Sequence, residues 1–422
     1  MRSVLQLKKR ICIVLISIFG QTNQQRILAM KPSENKVRNP IAVILVISVM
    51  VVSAFAFYNC SPGTTTASND TIPSIKEAYQ NKFLIGVALS TRALKKSTDT
   101  AITIQQFNSI TGENSMKWEK IHPEPGKYNF GPSDRFVEFG EAHKMYIIGH
   151  VLVWHSQTPA WVFQDAEGNR VSRDTLLQRM EDHINTVVGR YKGRVQCWDV
   201  VNEAVDDNGN FRQNIWAEII GEDYVQKAFE FARKADQEAV LLYNDYSLPT
   251  KVKREGVVRL VSDLQSKGVK VDGIGMQAHY HLDYPFLNDL EESIIAFSEL
   301  GCKIHFTEMD INVLPWPGED QGADIALNFA YDEYLNPWPE GLPDSMAIQL
   351  AERYSAFFEI FTHHADVIDR VTLWGIEDGS SWLNYWPVRG RSNYPLLFNR
   401  NYQPKKAFWS LIELAEESEV ES

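Results

Sequence analysis

Two glutamates, Glu203 and Glu308, each follow a short apolar run of the kind that forms buried strands. A pair of carboxyl groups flanking a glycosidic bond can hydrolyse it, because a protonated carboxyl donates to the leaving oxygen while an ionised one attacks the anomeric carbon. Such a site must hold the two pKa values apart. A single glutamate at a strand end is usually half of a surface ion pair, so the prediction depends on the surrounding residues. Asn202 directly precedes Glu203, and its amide could bind a sugar hydroxyl near the reacting carbon.

The chain alternates from residue 71 onward between short apolar runs and longer amphipathic stretches. Alternation of this kind predicts a parallel sheet, and eight units in ~340 residues fit a closed (β/α)8 TIM barrel with a single catalytic domain. A doubly wound open sheet is the alternative, but no Gly-x-Gly-x-x-Gly follows the first strand. The predicted strands are Phe83–Leu89, Ser109–Glu113, Met145–Val151, Val195–Asn202, Ala239–Asn244, Gly273–Ala278, Lys303–Thr307 and Arg370–Gly375.

Polar and aromatic residues stand at the carboxyl ends of six predicted strands. In barrels of this type those ends meet at one mouth, which holds the active site. One polar strand end could be an accident of packing, but six sets at one mouth predict a functional site. The sets are Thr111–Glu119, Gly149–His155, Trp198–Ala204, Gly275–His279, Phe306–Asp310 and Trp374–Trp382.

These segments resemble, in order and spacing, glycoside hydrolase family 10, the retaining endo-β-1,4-xylanases. The pieces Trp198–Ala204 (Trp-Asp-Val-Val-Asn-Glu-Ala) and Thr307–Asp310 (Thr-Glu-Met-Asp) are the most specific, and the resemblance covers residues 75–415. The other matching segments are Glu113–Trp118, Gly149–Gln157, Tyr243–Tyr246, Gln277–His279, Trp374–Trp382 and the closing segment Pro395–Pro404.

The resemblance implies a role for each matched residue. Glu203 would be the general acid and then the base, and Glu308 the nucleophile, with the carboxyl groups about 5–5.5 Å apart. His279 and Asp310 would keep Glu308 ionised and oriented. The implied sugar contacts are Gln277 and Asn202 at the 2-hydroxyl, Lys117 and His150 near the 3-hydroxyl, Glu113 and Asn114 at the next sugar outward, and Trp154, Trp374 and Trp382 against the pyranose rings. The substrate would be xylan or xylo-oligosaccharides, with no metal and no cofactor.

Two other functions are weighed against this one. A related barrel hydrolase could cleave another β-linked glycan, but Trp374 and Trp382 should exclude the hydroxymethyl arm that glucose has and xylose lacks. A non-catalytic glycan-binding barrel would be expected to have lost a carboxylate, and both are present. The chain departs from the family pattern at Glu377, at Met309 and in the long loop Asn312–Pro343, but none of these removes a catalytic group.

Other residues are interpreted as structural. We expect Trp118 and Trp198 to lie in the core. The pair His363-His364 ends a helical pattern and is interpreted as solvated or as compensating the helix dipole. The aromatic residues of the long loop either extend the sugar groove or pack the loop together; they are Trp316, Tyr331 and Trp338.

The first sixty residues are predicted to be a leader. Residues 41–57 are seventeen uncharged residues behind a basic flank, which is typical of an export signal or a membrane anchor. Cys60 lies three residues after this run, where a lipoprotein would be acylated, although residues 57–59 lack the usual small side chains. We therefore expect an exported protein that is secreted, periplasmic or attached to the cell surface, with membrane contact only through this segment. A polar linker, 61–74, the catalytic domain, 75–415, and an acidic tail, 416–422, complete the predicted organisation.

Charge and cysteine content restrict the partners. The chain has 42 basic and 54 acidic residues; residues 1–59 hold eight of the basic ones and one acidic one, which leaves 34 basic and 53 acidic residues, a net charge of −19, for the remainder. Such a domain is repelled by nucleic acid, so none is expected as a partner. Outside the leader only Cys197 and Cys302 remain, so the cysteines form neither a disulfide framework nor a zinc-binding spacing. A Cys197–Cys302 bridge is the alternative, but both lie in or beside predicted core strands, which favours free thiols. We expect a monomer.

Overall fold

The computed structural model describes residues 72–318 and 323–420. The predicted leader, residues 61–71 of the predicted linker, and residues 421–422 of the predicted tail lie outside the described residues. Among the described helices, none combines the length and the apolar composition that crossing a bilayer requires.

Parallel strands close into a barrel, which confirms the predicted (β/α)8 fold. The strands are β1 (Leu84–Leu89), β2 (Ser109–Gly112), β3 (Tyr146–Val153), β4 (Cys197–Asn202), β5 (Val240–Asp245), β6 (Gly273–Met276), β7 (His279–His281), β8 (Lys303–Asn312) and β9 (Ile368–Leu373). Neighbouring strands follow the order β6-β5-β4-β3-β2-β1-β9-β8, and β6 pairs with β8 to complete the ring. The short strand β7 pairs only with the end of β8.

Helices surround the barrel, and the longer ones bury mainly apolar residues against it. In α5, for example, the buried residues Leu176, Met180, Ile184 and Val187 recur every three or four positions and therefore lie on one face. Its first turn is capped by Ser172, whose side chain accepts a hydrogen bond from the Thr175 N–H. The helices are α1 (Ile75–Ala78), α2 (Ser97–Gln106), α3 (Trp118–Ile121), α4 (Gly131–Ala142), α5 (Arg173–Arg190), α6 (Ile215–Ile219), α7 (Tyr224–Ala235), α8 (Lys251–Ser266), α9 (Leu287–Ser298), α10 (Asp344–His363) and α11 (Lys406–Val420). Helix α11 thus includes residues 416–420, which the sequence analysis set apart as a tail.

Large side chains fill the space within the barrel and around it. Trp118 and Trp198 are buried, as expected for core residues. The ring of Trp198 lies directly against β3, where a Cβ atom at Gly149 would come within 2.1 Å of it, so only glycine fits there. Cys197 and Cys302 are buried free thiols.

Strand β8 is longer than predicted. It continues from Thr307, where the predicted strand ends, to Asn312, because β7 supplies a partner for its last residues and places His279 opposite Asp310. Glu308 therefore lies inside a strand, whereas Glu203 follows the last residue of β4. A partner of three residues has too little sequence pattern to be predicted as a strand.

Candidate active site

A cavity of about 220 Å³ opens at the carboxyl ends of the barrel strands. Every predicted catalytic and sugar-binding residue lines it, and Asp310 lies behind it against His279. The lining residues are Glu113, Asn114, Lys117, His150, Trp154, Gln157, Asn202, Glu203, Gln277, His279, Glu308, Ala323, Ile325, Trp374 and Trp382. The barrel thus brings together side chains from positions more than 250 residues apart in the chain.

Glu203 is buried and surrounded by neutral donors. Its backbone turns off β4 with a φ of 60°, a left-handed conformation that costs most residues energy and that the surrounding structure must hold. Trp154 Nε1 donates to Oε2 at 2.9 Å, and Asn202 Nδ2 and Gln277 Nε2 donate to Oε1 at 2.9 and 3.1 Å. Burial, reinforced by the negative charge of Asp245, outweighs these donors and raises the pKa of Glu203 to about 7.

Asp245 is a fixed charge behind Glu203. It is completely buried, and Lys253 Nζ lies 2.9 Å from its Oδ1. The Tyr243 hydroxyl donates to its Oδ2 at 2.5 Å and accepts from the Ala204 N–H, one residue past Glu203. This cluster therefore connects β5 to the backbone that carries Glu203.

Glu308 is equally buried but faces a cation. His279 Nε2 lies 3.4 Å from its Oε2, and Asn244 Nδ2 donates to its Oε1 at 2.9 Å. Burial by itself would raise the pKa of Glu308, but the His279 hydrogen bond and the electrostatic effects of His150, His279 and Lys117 outweigh burial and lower the pKa to about 2. Glu308 is therefore ionised over most of the pH range in which Glu203 is protonated.

His279 carries that positive charge because of a second carboxylate. Burial would lower the pKa of His279, but Asp310 and Glu308 raise it to about 10. Asp310 Oδ1 lies 3.0 Å from His279 Nδ1, and its Oδ2 accepts from Trp382 Nε1 at 2.7 Å. Trp382 thus fixes Asp310, which fixes the imidazolium that faces Glu308.

Asn244 links the two glutamates and was not predicted as a site residue. Its Nδ2 donates both to Glu308 Oε1 and to Asn202 Oδ1, each at 2.9 Å, and its Oδ1 accepts from Thr307 at 2.7 Å. With its carbonyl oxygen occupied in this way, Asn202 points its own Nδ2 at Glu203. Position alone could have indicated Asn244, since it lies at the carboxyl end of the fifth strand like the other site residues.

Gln157 is a second site residue that the prediction omitted. Its Oε1 accepts from Lys117 Nζ at 2.8 Å, and its Nε2 lies 3.5 Å from Asn114 Oδ1. Lys117 also lies over the ring of Trp154, 5.1 Å from its centroid. Burial lowers the pKa of Lys117, while Glu308 and other carboxylates oppose that effect. Gln157 therefore orients the cavity's lysine, although it comes from the loop after β3.

The remaining predicted residues lie on the other walls of the cavity. His150 Nδ1 is 2.8 Å from Asp199 Oδ2, and the ring of Trp374 meets His150 edge to face. Asn114 donates to Glu113 at 3.0 Å, and burial raises the pKa of Glu113 against the opposing charge of Lys117.

The long loop after β8 contributes to the cavity with apolar residues. Ala323 and Ile325 line it, whereas the three aromatic residues predicted as possible groove residues are not among its lining residues in the described part of the chain. Trp316 packs against Trp386, Tyr331 is 52% exposed, and Trp338 is packed partly against the core.

Two buried carboxyl groups with opposite pKa shifts, in one cavity at the mouth of a (β/α)8 barrel, define a glycoside hydrolase, because acid-assisted cleavage of an acetal needs one group protonated and the other ionised. The sequence profile of glycosyl hydrolase family 10 matches residues 74–414, and the chain belongs to this family.

Relatives of known name match the same region. An endo-1,4-beta-xylanase A of Xylanibacter ruminicola is 46% identical over 347 residues, which cover 82% of this chain and 94% of the relative. An endo-1,4-beta-xylanase of Geobacillus stearothermophilus is 42% identical over 350 residues, which cover 81% of this chain and 99% of the relative. Among solved structures, a GH10 endoxylanase retrieved from a sugarcane soil metagenome is 44% identical, with a TM-score of 0.79 over 81% of this chain and 100% of that one.

Removing the charge of His279 should shift the acid limb of the pH profile. In His279→Gln the pKa of Glu308 rises, because an adjacent opposite charge lowers a carboxyl pKa by about 1–3 and the variant lacks it. Less Glu308 is then ionised at low pH, so kcat/KM falls off at a pH that is higher by about one or more. The measurement is kcat/KM on an aryl β-xyloside across the acidic range. His143→Gln, at an exposed helix end, is the control, and coincident acid limbs for both variants and the unchanged enzyme would contradict the role of His279.

Proposed function

We propose that the chain is a retaining endo-β-1,4-xylanase that hydrolyses internal bonds of xylan and xylo-oligosaccharides without a cofactor. The opposite protonation of Glu203 and Glu308 in one cavity carries this proposal, with pKa values of about 7 and about 2. The 46% and 42% identity to relatives named endo-1,4-beta-xylanases supports the choice of substrate. One chain contains every residue of the proposed site, which supports action as a monomer.

The first displacement uses both carboxyl groups at once. Glu308 attacks the anomeric carbon as the bond from that carbon to the leaving oxygen breaks, and Glu203 gives its proton to that oxygen. The product is a glycosyl ester on Glu308 and a free shorter chain. Asn244 already donates to one Glu308 oxygen and His279 lies near the other, so the attacking group is oriented before substrate binds.

The second displacement reverses the roles. Glu203, now ionised, takes a proton from water as the water oxygen attacks the anomeric carbon and Glu308 leaves as a carboxylate. Esterification removes the negative charge of Glu308, which leaves Glu203 easier to ionise by removing a like charge from its surroundings. Two inversions at one carbon give net retention.

The other lining residues are proposed to bind the sugar rings. Asn202 and Gln277 both donate toward Glu203, a position suited to the 2-hydroxyl of the sugar being cleaved. The remaining contacts are proposed for Lys117 and His150 near the 3-hydroxyl, for Glu113 and Asn114 at the next sugar, and for Trp154, Trp374 and Trp382 at the ring faces.

Substrate choice can be tested on polymers that differ in the hydroxymethyl group. We expect the full chain to cut linear xylan into a series of short oligosaccharides and to act much more slowly on carboxymethylcellulose, because the bulky Trp374 and Trp382 line the cavity and should exclude a hydroxymethyl arm. Chromatography of early products and reducing-sugar release measure both. A preference for carboxymethylcellulose would assign the enzyme to another β-linked glycan, and release of xylose alone would contradict internal cleavage.

The two glutamates should differ in their dependence on the leaving group. Glu308→Ala should abolish hydrolysis of all substrates while xylan binding persists. Glu203→Ala should slow xylan hydrolysis by about 10²–10⁴-fold, the usual contribution of a general acid, and slow nitrophenyl xylosides far less because nitrophenol leaves without protonation. The measurements are kcat on both substrates and binding by affinity electrophoresis. Glu359→Ala, an exposed carboxylate on α10, is the matched control; near-normal turnover of xylan by both site variants would refute the assignment.

Export is proposed on the sequence of the leader. The uncharged residues 41–57 and their basic flank support it, and Cys60 offers a site for lipid attachment. We expect intact cells to hydrolyse external xylan, and deletion of residues 41–57 to confine the activity to the cytoplasm. Cys60→Ser distinguishes the forms. A lipid-attached enzyme would move from the cell to the medium on this change, whereas a protein-anchored enzyme would stay on the cell and a fully cleaved one would be in the medium with or without it. Activity that stays cytoplasmic with the leader intact would contradict export.

A further inference from the structure

A cluster of three metal-ligating side chains lies outside the active site. Glu291, His363 and His364 each offer a ligand atom, and these atoms all lie within 4.8 Å of one another. Glu291 belongs to α9, His363 is the last residue of α10, and His364 is the residue that caps it. The two histidines were interpreted from the sequence as solvated or dipole-compensating, and the structure adds a carboxylate from another helix.

We propose that Glu291, His363 and His364 form a surface binding site for a divalent transition cation, with Zn²⁺ as its natural occupant. Two imidazoles and a carboxylate are a common ligand set for zinc, with water at the fourth position. Imidazole ligands favour zinc, copper and nickel, while calcium and magnesium require oxygen ligands.

The three ligand atoms need to move only slightly to bind one ion together. Two ligands of one zinc ion lie at most about 4.2 Å apart, since each bond is about 2.1 Å. His364 Nε2 and Glu291 Oε1 are already 2.9 Å apart. To complete the site, it is therefore mainly the exposed ring of His363 that must move closer to these two atoms. The His363 and His364 rings are direct neighbours, with centroids 5.1 Å apart and planes at 80°.

The backbone and the local charge favour a cation there. The His364 N–H donates to the Ile360 carbonyl, and its own carbonyl accepts from Val367 and Ile368, so its position is fixed from both sides. The end of the 20-residue helix α10 also carries the negative pole of the helix dipole. A bound ion adds its charge to a site that already has a carboxylate and a negative helix end.

The site would link the two helices on either side of β8, the strand that carries Glu308. Helix α9 precedes β8 and α10 follows the long loop after it. A cation that binds the folded form and not the unfolded one stabilises it by an amount that grows with the logarithm of the free cation concentration above Kd. Zinc should therefore raise the thermal midpoint without changing kcat.

The test is zinc titration of the tag-free full chain after removal of metal with a chelator. We expect saturable binding by calorimetry and a rise in the thermal midpoint with ZnCl2, and no comparable rise with MgCl2 or CaCl2. His363→Gln and His364→Gln should each weaken the affinity by at least about tenfold, because loss of even an indirect partner of a metal ligand costs 10–100-fold. The double variant should lose this binding event and the thermal shift.

A matched control separates this site from other zinc ligands in the chain. His143 also caps a helix, α4, and is exposed, so His143→Gln should leave the zinc isotherm unchanged. Leader cysteines and active-site carboxylates are the same in every variant, and xylan turnover reports intact folding. An unchanged isotherm in the double variant, or an equal rise in its thermal midpoint with zinc, would overturn the proposal.

Discussion

Burial raises the pKa of any carboxyl group, and the two at the centre of this site are buried to the same degree, at 4% exposure for Glu203 and 5% for Glu308. The difference in their protonation must come from the charges behind them. His279, held positive by Asp310, faces Glu308, whereas the negative Asp245 lies near Glu203. The proposed chemistry depends on this contrast, because two carboxyl groups with equal pKa values could not act as acid and nucleophile at the same pH.

Strand register builds the hydrogen-bond network that maintains the contrast. Residues that pair across neighbouring parallel strands place their side chains on the same side of the sheet, close enough to bond. Three of the site's hydrogen bonds join such register partners: His150 with Asp199, Asn202 with Asn244, and His279 with Asp310. A slip of one strand by one residue would point that strand's member of the pair to the opposite face and break the bond. Closure of the barrel therefore brings the site residues into one cavity, and the register of its strands decides which of them form hydrogen bonds.

The barrel could be predicted from local signals, namely apolar runs and the residue types at their ends, and most of the cavity lining from those strand ends together with the family resemblance. The contacts between residues at different strand ends could not be predicted in this way. Asn244 and Gln157 belong to segments that matched the family pattern, but their partners lie 40 or more residues away. The extension of β8 depends on β7, three residues that carry no periodicity. Glu291 has no sequence feature that relates it to His364, 73 positions later, and only the packing of α9 beside α10 brings them together.

The two pKa shifts also affect the stability of the fold, and they do so in opposite directions. From an ordinary value of 4.5, the pKa of Glu308 falls to about 2 and that of Glu203 rises to about 7. A change of one in pKa corresponds to about 1.4 kcal/mol, so each shift is worth about 3 kcal/mol. The lowered group stabilises the fold fully above pH 4.5 and loses that effect as the pH falls through 2, whereas the raised group destabilises it progressively as the pH rises from 4.5 through 7. The pair therefore stabilises the fold most near pH 4.5 and contributes almost nothing above 7, so its stabilising range coincides with the range in which Glu203 is protonated and Glu308 is ionised.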